Sequence, residues 1–116
     1  MKVYRVEHKD SGLGPYQDQS GTEVTNDILD NHYYPKHPRA MIFNKDFVCG
    51  FESRELLAKW FKGYIRKLKQ QGFEFATYEV SPQHVDKNQP GTQLIFNKKK
   101  AKKVSVEAGQ SLYSVL

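Results

Sequence analysis

The clearest pattern in the chain is a stripe of apolar residues between Ser53 and Gly72. Its members are Leu56, Leu57, Trp60, Phe61, Tyr64, Ile65 and Leu68. This spacing matches the period of an α-helix and predicts one long amphipathic helix with a single buried face. Ser53 is placed to cap its first turn, and Gly72 is placed to end it in a left-handed conformation. We expect the rest of the fold to pack on this helix.

Alternating apolar and polar residues predict β-strands on both sides of the helix. The strongest strands cover 2–8 and 73–80, and shorter ones cover 41–43, 47–49, 92–97 and 104–106. The last strand is expected to pair as a hairpin with the one before it, around a basic turn at 98–103. A short helix over 22–31 and a loose tail over 107–116 are also predicted. The order indicates one α+β domain over 1–106, with one helix on a mostly antiparallel sheet.

The first strand separates polar from apolar side chains. Tyr4, Val6 and His8 share one face, which we expect to turn inward. Arg5 and Glu7 share the other face, which we expect to meet solvent or a cleft.

Charge and cysteine content limit the function classes. The 116-residue chain has 18 basic and 13 acidic residues, a net charge of +5. This excess favours anionic partners such as nucleic acid, nucleotide phosphates or an acidic protein surface, although scattered lysines also serve solubility alone. A single cysteine, Cys49, excludes an internal disulfide, and no apolar run reaches membrane-spanning length. A cytoplasmic protein is expected.

Metal binding and nucleophilic catalysis find little support in the sequence. His32 and His37, with His8 or Cys49, are candidate metal ligands, but no cysteine pair or acidic helix accompanies them. No metal site is therefore predicted. Cys49 lies in an apolar run, which favours a buried, inert thiol over a nucleophile.

Basic residues indicate a surface for nucleic acid or for a partner protein. Cations on the outer face of the predicted helix and at the start of the basic turn would together contact successive phosphates of a nucleic-acid backbone. Three tyrosines would stack on its bases. The alternative is a solvated helix face and a lysine turn that protects a sheet edge. The cations are Lys59, Lys62, Arg66, Lys69, Lys98, Lys99 and Lys100, and the tyrosines are Tyr16, Tyr33 and Tyr34.

Three segments occur in an order that is typical of a known fold. They are the strand at 3–8, the Gly-Phe-Glu-Ser junction at 50–53 with the helix after it, and the segment 90–104. Together they resemble the ADP-ribosyltransferase-like fold. With the glycine-rich loop at 12–16, they also resemble small phage-encoded proteins. The resemblance implies that NAD or a related nucleotide is the ligand, with Arg5 on a phosphate, His8 or Ser53 at the ribose, and Tyr16 stacked on the nicotinamide.

One departure from that family concerns catalysis. Gln93 stands where the family has its catalytic glutamate, and an amide carries no charge to stabilise a cationic transition state. The resemblance then implies a weak or altered transferase acting on a host macromolecule, or a domain that binds a nucleotide without turnover. The alternative is a non-enzymatic basic module that binds nucleic acid or inhibits a host protein. The nucleotide hypothesis requires Arg5, His8, Ser53 and Gln93 to line one cleft.

Overall fold

A computed structural model of the protein describes residues 1–15, 46–88 and 92–107. Two helices lie between the second and third strands, and short 3₁₀ turns at Pro82–His84 and Lys98–Lys100 precede the fourth and sixth strands. The strands are β1 (Lys2–His8), β2 (Phe47–Phe51), β3 (Phe73–Val80), β4 (Val85–Asp86), β5 (Gln93–Asn97) and β6 (Ala101–Glu107), and the helices are α1 (Arg54–Trp60) and α2 (Ile65–Gln70).

The six strands form one sheet in the order β4-β5-β2-β1-β3-β6. Every neighbouring pair is antiparallel. The first strand of the sequence therefore lies inside the sheet, and it pairs with β3 along its whole length, from Lys2 opposite Glu79 to His8 opposite Phe73. The predicted α+β class with a mostly antiparallel sheet is confirmed, and β1 and β3 have the predicted bounds.

The sheet coils on itself. A flat sheet would separate β5 from β6 by four strand spacings, or about 19 Å. The link between them is only the turn Lys98–Lys100, and an extended chain from Asn97 to Ala101 spans at most about 14 Å. Consistent with this, the rings of Tyr78 on β3 and Phe96 on β5 lie 5.4 Å apart between centroids, although two strands separate theirs in the sheet. These two rings mark the concave face.

Each face of the sheet carries its own core. The convex face packs against both helices, and its cluster consists of Val6, Phe51, Leu57, Ala58, Phe61, Ile65, Leu68 and Phe75. The concave face holds a second cluster, made of Val3, Ala76, Tyr78, Val80, Leu94 and Phe96. Because both faces bury apolar side chains, polar groups on either face must find partners within the protein.

The helical segment is broken, which corrects the prediction of one long helix. The predicted N-cap is confirmed, since the Ser53 hydroxyl accepts a hydrogen bond from the amide of Leu56 at 3.1 Å. However, α1 ends at Trp60 and α2 begins at Ile65. Between them Gly63 has φ of +89°, a left-handed conformation that an α-helix cannot continue through. The apolar stripe spans the break, so the pattern alone did not reveal it.

The last strand pairs differently from the prediction. Instead of forming a hairpin with β5, β6 lies beside β3, with Val80 opposite Ala101 and Ala76 opposite Val106. The neighbours of β5 are β2 and β4. The two-residue β4 was not among the predicted strands.

Several predictions fall outside the described residues and stay predictions. They concern the helix at 22–31, the strand at 41–43, the tail from 108 to 116, and the side chains Tyr16, His32, Tyr33, Tyr34 and His37. In the part of the chain that is described, no helix is long and apolar enough to cross a membrane.

Candidate functional site

A buried carboxylate, that of Glu7, is the centre of the most concentrated group of charges in the described structure. Glu7 is only 2% exposed and lies on the concave face of β1. Its two oxygens both accept from the Tyr78 hydroxyl at 2.8 Å. Three cations surround it: Arg5 at 3.0 Å, Lys98 at 3.4 Å and Lys103 at 2.8 Å. One negative charge thus holds three positive ones together.

All three nitrogens of the Arg5 guanidinium donate to acceptors within the protein. Arg5 is 3% exposed, and its Nε donates to Glu7 at 3.0 Å. Its Nη1 donates to the carbonyl of Cys49 at 2.9 Å, and its Nη2 donates to the carbonyl of Gly12 at 3.2 Å. Arg5 therefore joins β1 to β2 and to the loop after β1, and this corrects the expectation that its face meets solvent or a cleft.

The two lysines of the cluster lie at its border with solvent. The side chains of Lys98 and Lys103 are 33% and 38% exposed, and their ammonium groups lie about 6 Å from the centre of the Tyr78 ring. An ammonium has three donor hydrogens. Besides Glu7, Lys98 contacts the Gly12 carbonyl and Lys103 contacts Glu74, so each ammonium has one hydrogen left to offer outward.

The ionisation of the cluster follows from burial and charge. Burial raises the pKa of Glu7, but the hydrogen bond from Lys103, the charge of Arg5 and the Tyr78 hydroxyl outweigh it, so that the pKa lies below its ordinary value. Burial lowers the pKa of Lys98, while the hydrogen bond to Glu7 raises the pKa of Lys103. Burial and the hydrogen bond to Glu7 raise the pKa of Tyr78. Glu7 is therefore ionised and Tyr78 protonated at neutral pH.

The glycine-rich loop after β1 approaches a side chain of the protein itself. Gly12 has φ of +73°, and a Cβ atom there would lie 2.9 Å from the Lys98 ammonium. The carbonyl of Gly12 accepts from that ammonium at 3.4 Å. The space left by the missing side chain of Gly12 is therefore occupied by the Lys98 ammonium.

The turn that carries the lysines is held in place by its ends. The Asn97 side chain accepts from the amide of Lys99 at 3.1 Å, and the amide of Lys98 donates to the carbonyl of Asp46 at 2.8 Å. Lys99 also pairs with the Asp46 carboxylate at 3.3 Å, with its side chain 76% exposed. The lysines that border Glu7 and the lysines of this turn form one basic surface. We name this surface the lysine cluster, and its members are Lys98, Lys99, Lys100 and Lys103.

The predicted nucleotide residues do not meet. Side chains directly opposite each other in antiparallel strands share a face. Gln93 lies opposite Phe51, and Phe51 lies opposite Tyr4, so Gln93 is on the convex face. Arg5 is on the concave face with Val3 and Glu7. The sheet separates the two side chains, and the cleft that the resemblance implied is not formed by them.

His8 and Ser53 have structural partners on the convex side. The His8 ring packs edge-on against Phe73 at 5.3 Å between centroids, and its Nδ1 accepts from the amide of Asp10. The inward orientation predicted for His8 is confirmed. The Ser53 hydroxyl caps α1. Each side chain thus has a role in the fold that requires no ligand.

The basic residues of the helices are exposed but lie apart from the lysine cluster. They project from helices that cover the convex face, whereas Lys98 and Lys103 reach Glu7 on the concave face. The single phosphate-binding surface predicted from both groups is therefore divided between two sides of the sheet. These residues are Lys59 on α1, Lys62 in the turn between the two helices, and Arg66 and Lys69 on α2.

Within the described residues, no group of three or more His, Cys, Asp or Glu side chains could hold a metal ion. Cys49 is half-buried on β2. Glu7, Tyr78 and Lys103 were not predicted to be members of a charge cluster. The one signal in the sequence is that Arg5 and Glu7 are two residues apart on β1, which places two charged side chains on the same face of that strand.

Comparison with known proteins assigns the chain to a family. The profile described as Bacteriophage T4 Y00F protein matches residues 1–109. The chain belongs to this phage protein family. The resemblance to small phage-encoded proteins is thus confirmed, but nothing in the match supports the ADP-ribosyltransferase-like fold. Neither the curated proteins nor the solved structures contain a significant match.

Proposed function

We propose that this phage protein is a non-enzymatic module that binds the phosphate backbone of nucleic acid through the lysine cluster. The observation that carries the proposal is the convergence of Lys98 and Lys103 on Glu7 at 3.4 and 2.8 Å. The buried carboxylate fixes two ammonium groups side by side at the surface, which lowers the entropy lost when they bind a phosphate.

The local charge balance supports an anionic ligand. Arg5 and the four lysines of the cluster are opposed by Glu7, Glu74 and Asp46, so the surface keeps a positive excess. Lys100 is exposed and makes no ion pair with any described residue. Cations that contact phosphates release condensed counterions, so binding of this kind weakens steeply as salt is added and carries little sequence preference.

NAD binding, ADP-ribosyl transfer and inhibition of a host protein stay predictions. Arg5 is 3% exposed and each of its three guanidinium nitrogens already donates to the protein, and Gln93 is across the sheet from it. The nucleic-acid hypothesis uses side chains that still have donors to offer. For this reason we favour it over the nucleotide hypothesis.

Fluorescence anisotropy with a labelled 20-nucleotide single strand and the matching duplex, over a range of salt concentrations, tests the proposal. The variant Lys99→Gln/Lys100→Gln removes two exposed charges without touching Glu7. We expect weaker binding and a slope of log K against log salt that is smaller by about 1.4 to 1.8. The control Lys62→Gln/Lys69→Gln changes net charge equally on the helix side and should leave the slope unchanged. Absent binding at low salt, or equal losses in both variants, would contradict the proposal.

A further inference from the structure

The outer edge of β6 is the most exposed apolar feature in the described residues. Val104 and Val106 are 47% and 50% exposed, and they are the large hydrophobic residues with the greatest exposure there. The strand is last in the order of the sheet, so no described strand pairs with its outer edge. Seven residues give it a length of about 23 Å. An open edge of this length presents unpaired backbone donors and acceptors.

The inner side of β6 is firmly held. Glu107 at its end receives two hydrogen bonds from the guanidinium of Arg54, both 2.9 Å. Lys103 near its start binds Glu7 at 2.8 Å. The strand pairs with β3 throughout, except at a bulge next to Val104. An edge that is fixed in this way is a preformed template for another strand.

The charges of β6 indicate what kind of strand would fit. Lys102 is exposed and makes no ion pair with a described residue, whereas Glu107 is already bound to Arg54. A second copy of this chain is a poor partner, because it would offer Lys102 no acidic side chain beyond a Glu107 already paired with Arg54, and the bulge would interrupt both strands. The complementary partner is an extended segment that alternates acidic and apolar residues.

We infer that β6 is a docking edge for an extended acidic peptide segment of a protein partner, which adds to the sheet as a seventh strand. Backbone hydrogen bonds to β6 supply the affinity. Val104 and Val106 supply apolar contacts, and Lys102 selects the acidic side chains. Lys103 of the lysine cluster lies on the same strand, but Lys102, Val104 and Val106 are not members of that cluster, so variants at these three positions test the edge separately from the proposed nucleic-acid binding.

The test uses the full chain labelled with ¹⁵N and a blocked heptapeptide of alternating Glu and Val as the probe. We expect amide shifts concentrated in β6 and saturable binding. The same peptide with alternate residues N-methylated keeps its charge but cannot form the ladder, and it should not bind. Val104→Ser/Val106→Ser should weaken binding about tenfold, and Lys102→Glu should weaken it at least as much. Lys69→Glu, the matched charge reversal on α2, should have no effect.

Three results would overturn the inference. One is the absence of binding at millimolar peptide, and another is equal binding of the N-methylated peptide, which would leave only charge attraction. The third is weaker oligonucleotide binding by the Val104→Ser/Val106→Ser variant than by the native protein, because the edge would then bind nucleic acid. All the altered side chains are exposed, so each variant is expected to retain the fold. Thermal melts of each variant check this.

Discussion

Arg5 and Gln93 lie on opposite faces of the same sheet. Arg5 points into the concave side, where Glu7 and two backbone carbonyls take all of its donating nitrogens. Gln93 points to the convex side, where it is 8% exposed. A site that needs an arginine on a phosphate and a carboxylate at the ribose cannot be formed by these two positions together.

Placing at position 93 the glutamate of the ADP-ribosyltransferase-like family is therefore expected to cost stability and to create no enzyme. In Gln93→Glu, a carboxylate replaces a buried amide, and the free energy of unfolding should fall by about 1–3 kcal/mol. Urea melts measure that loss, and a nicotinamide-release assay with millimolar NAD should stay at background. Melting-temperature measurements with NAD or ADP-ribose should show no rise in either protein. Hydrolysis in the variant, or a rise in melting temperature, would return the nucleotide hypothesis to first place.

The Glu7 cluster should make the protein sensitive to acid. Because the folded-state pKa of Glu7 is lowered below its ordinary value, its stabilisation is complete above that ordinary value. It is lost as pH falls through the lowered pKa. Glu7→Gln should be less stable at neutral pH by about 3–5 kcal/mol, since the cations lose their buried counter-charge. It should also show a flatter stability profile below about pH 5.

Urea melts between about pH 7 and pH 2 test this prediction. The control is Glu79→Gln, because Glu79 is about half exposed and pairs only with the N-terminal ammonium among the described partners. Its profile should keep the acid-dependent loss seen in the native protein. Identical profiles for Glu7→Gln and the native protein would contradict the assignment of the acid response to Glu7.

Removing the Tyr78 hydroxyl should raise the pKa of Glu7. That hydroxyl donates to both carboxylate oxygens at 2.8 Å and is one of the groups that lower the pKa. In Tyr78→Phe we expect a loss of about 1–2 kcal/mol at neutral pH. The acid-induced decline in stability should also begin at a higher pH than in the native protein. An unchanged acid midpoint, measured by urea melts at each pH, would show that the hydroxyl does not act on the carboxylate.

The break between α1 and α2 should depend on the left-handed conformation of Gly63. A Cβ atom there would meet nothing within 4 Å, so a substitution costs backbone strain alone. Gly63→Ala should lower the free energy of unfolding by about 1 kcal/mol or more, whereas Gly63→Asn should cost less because asparagine tolerates this region. Thermal melts of both variants measure the difference. Equal losses, or a gain in helix by circular dichroism in Gly63→Ala, would contradict this account.

Much of the local structure could be predicted because it depends on neighbouring residues. Alternation gave the bounds of β1 and β3, and the Ser53 cap follows from its position before an apolar stripe. The stripe itself concealed the break at Gly63, since its spacing runs on through the glycine. The left-handed conformation of Gly63 breaks the helix, although the helical period of the apolar residues continues on both sides of it.

The candidate site was harder to predict because its parts come from distant segments. The partner of β6 is set by the coiling of the sheet rather than by adjacency in sequence, so the expected hairpin with β5 was wrong. Glu7 attracts Lys98 and Lys103 only because that coiling brings the turn after β5 over β1. From the sequence, Glu7 resembled a solvent-facing partner of Arg5, and nothing near it in the chain indicated its burial.

The interior position of β1 has a consequence for synthesis on the ribosome. β1 receives its two neighbours, β2 and β3, only after the segments around Phe51 and Val80 have been made. Until then its backbone has no sheet partner from the described strands. Lys98 and Lys103, which pair with Glu7 beside Arg5, are translated later still. The sheet can therefore be completed only after β6 has been translated, and a chain truncated before β6 should be a substrate for cellular proteases.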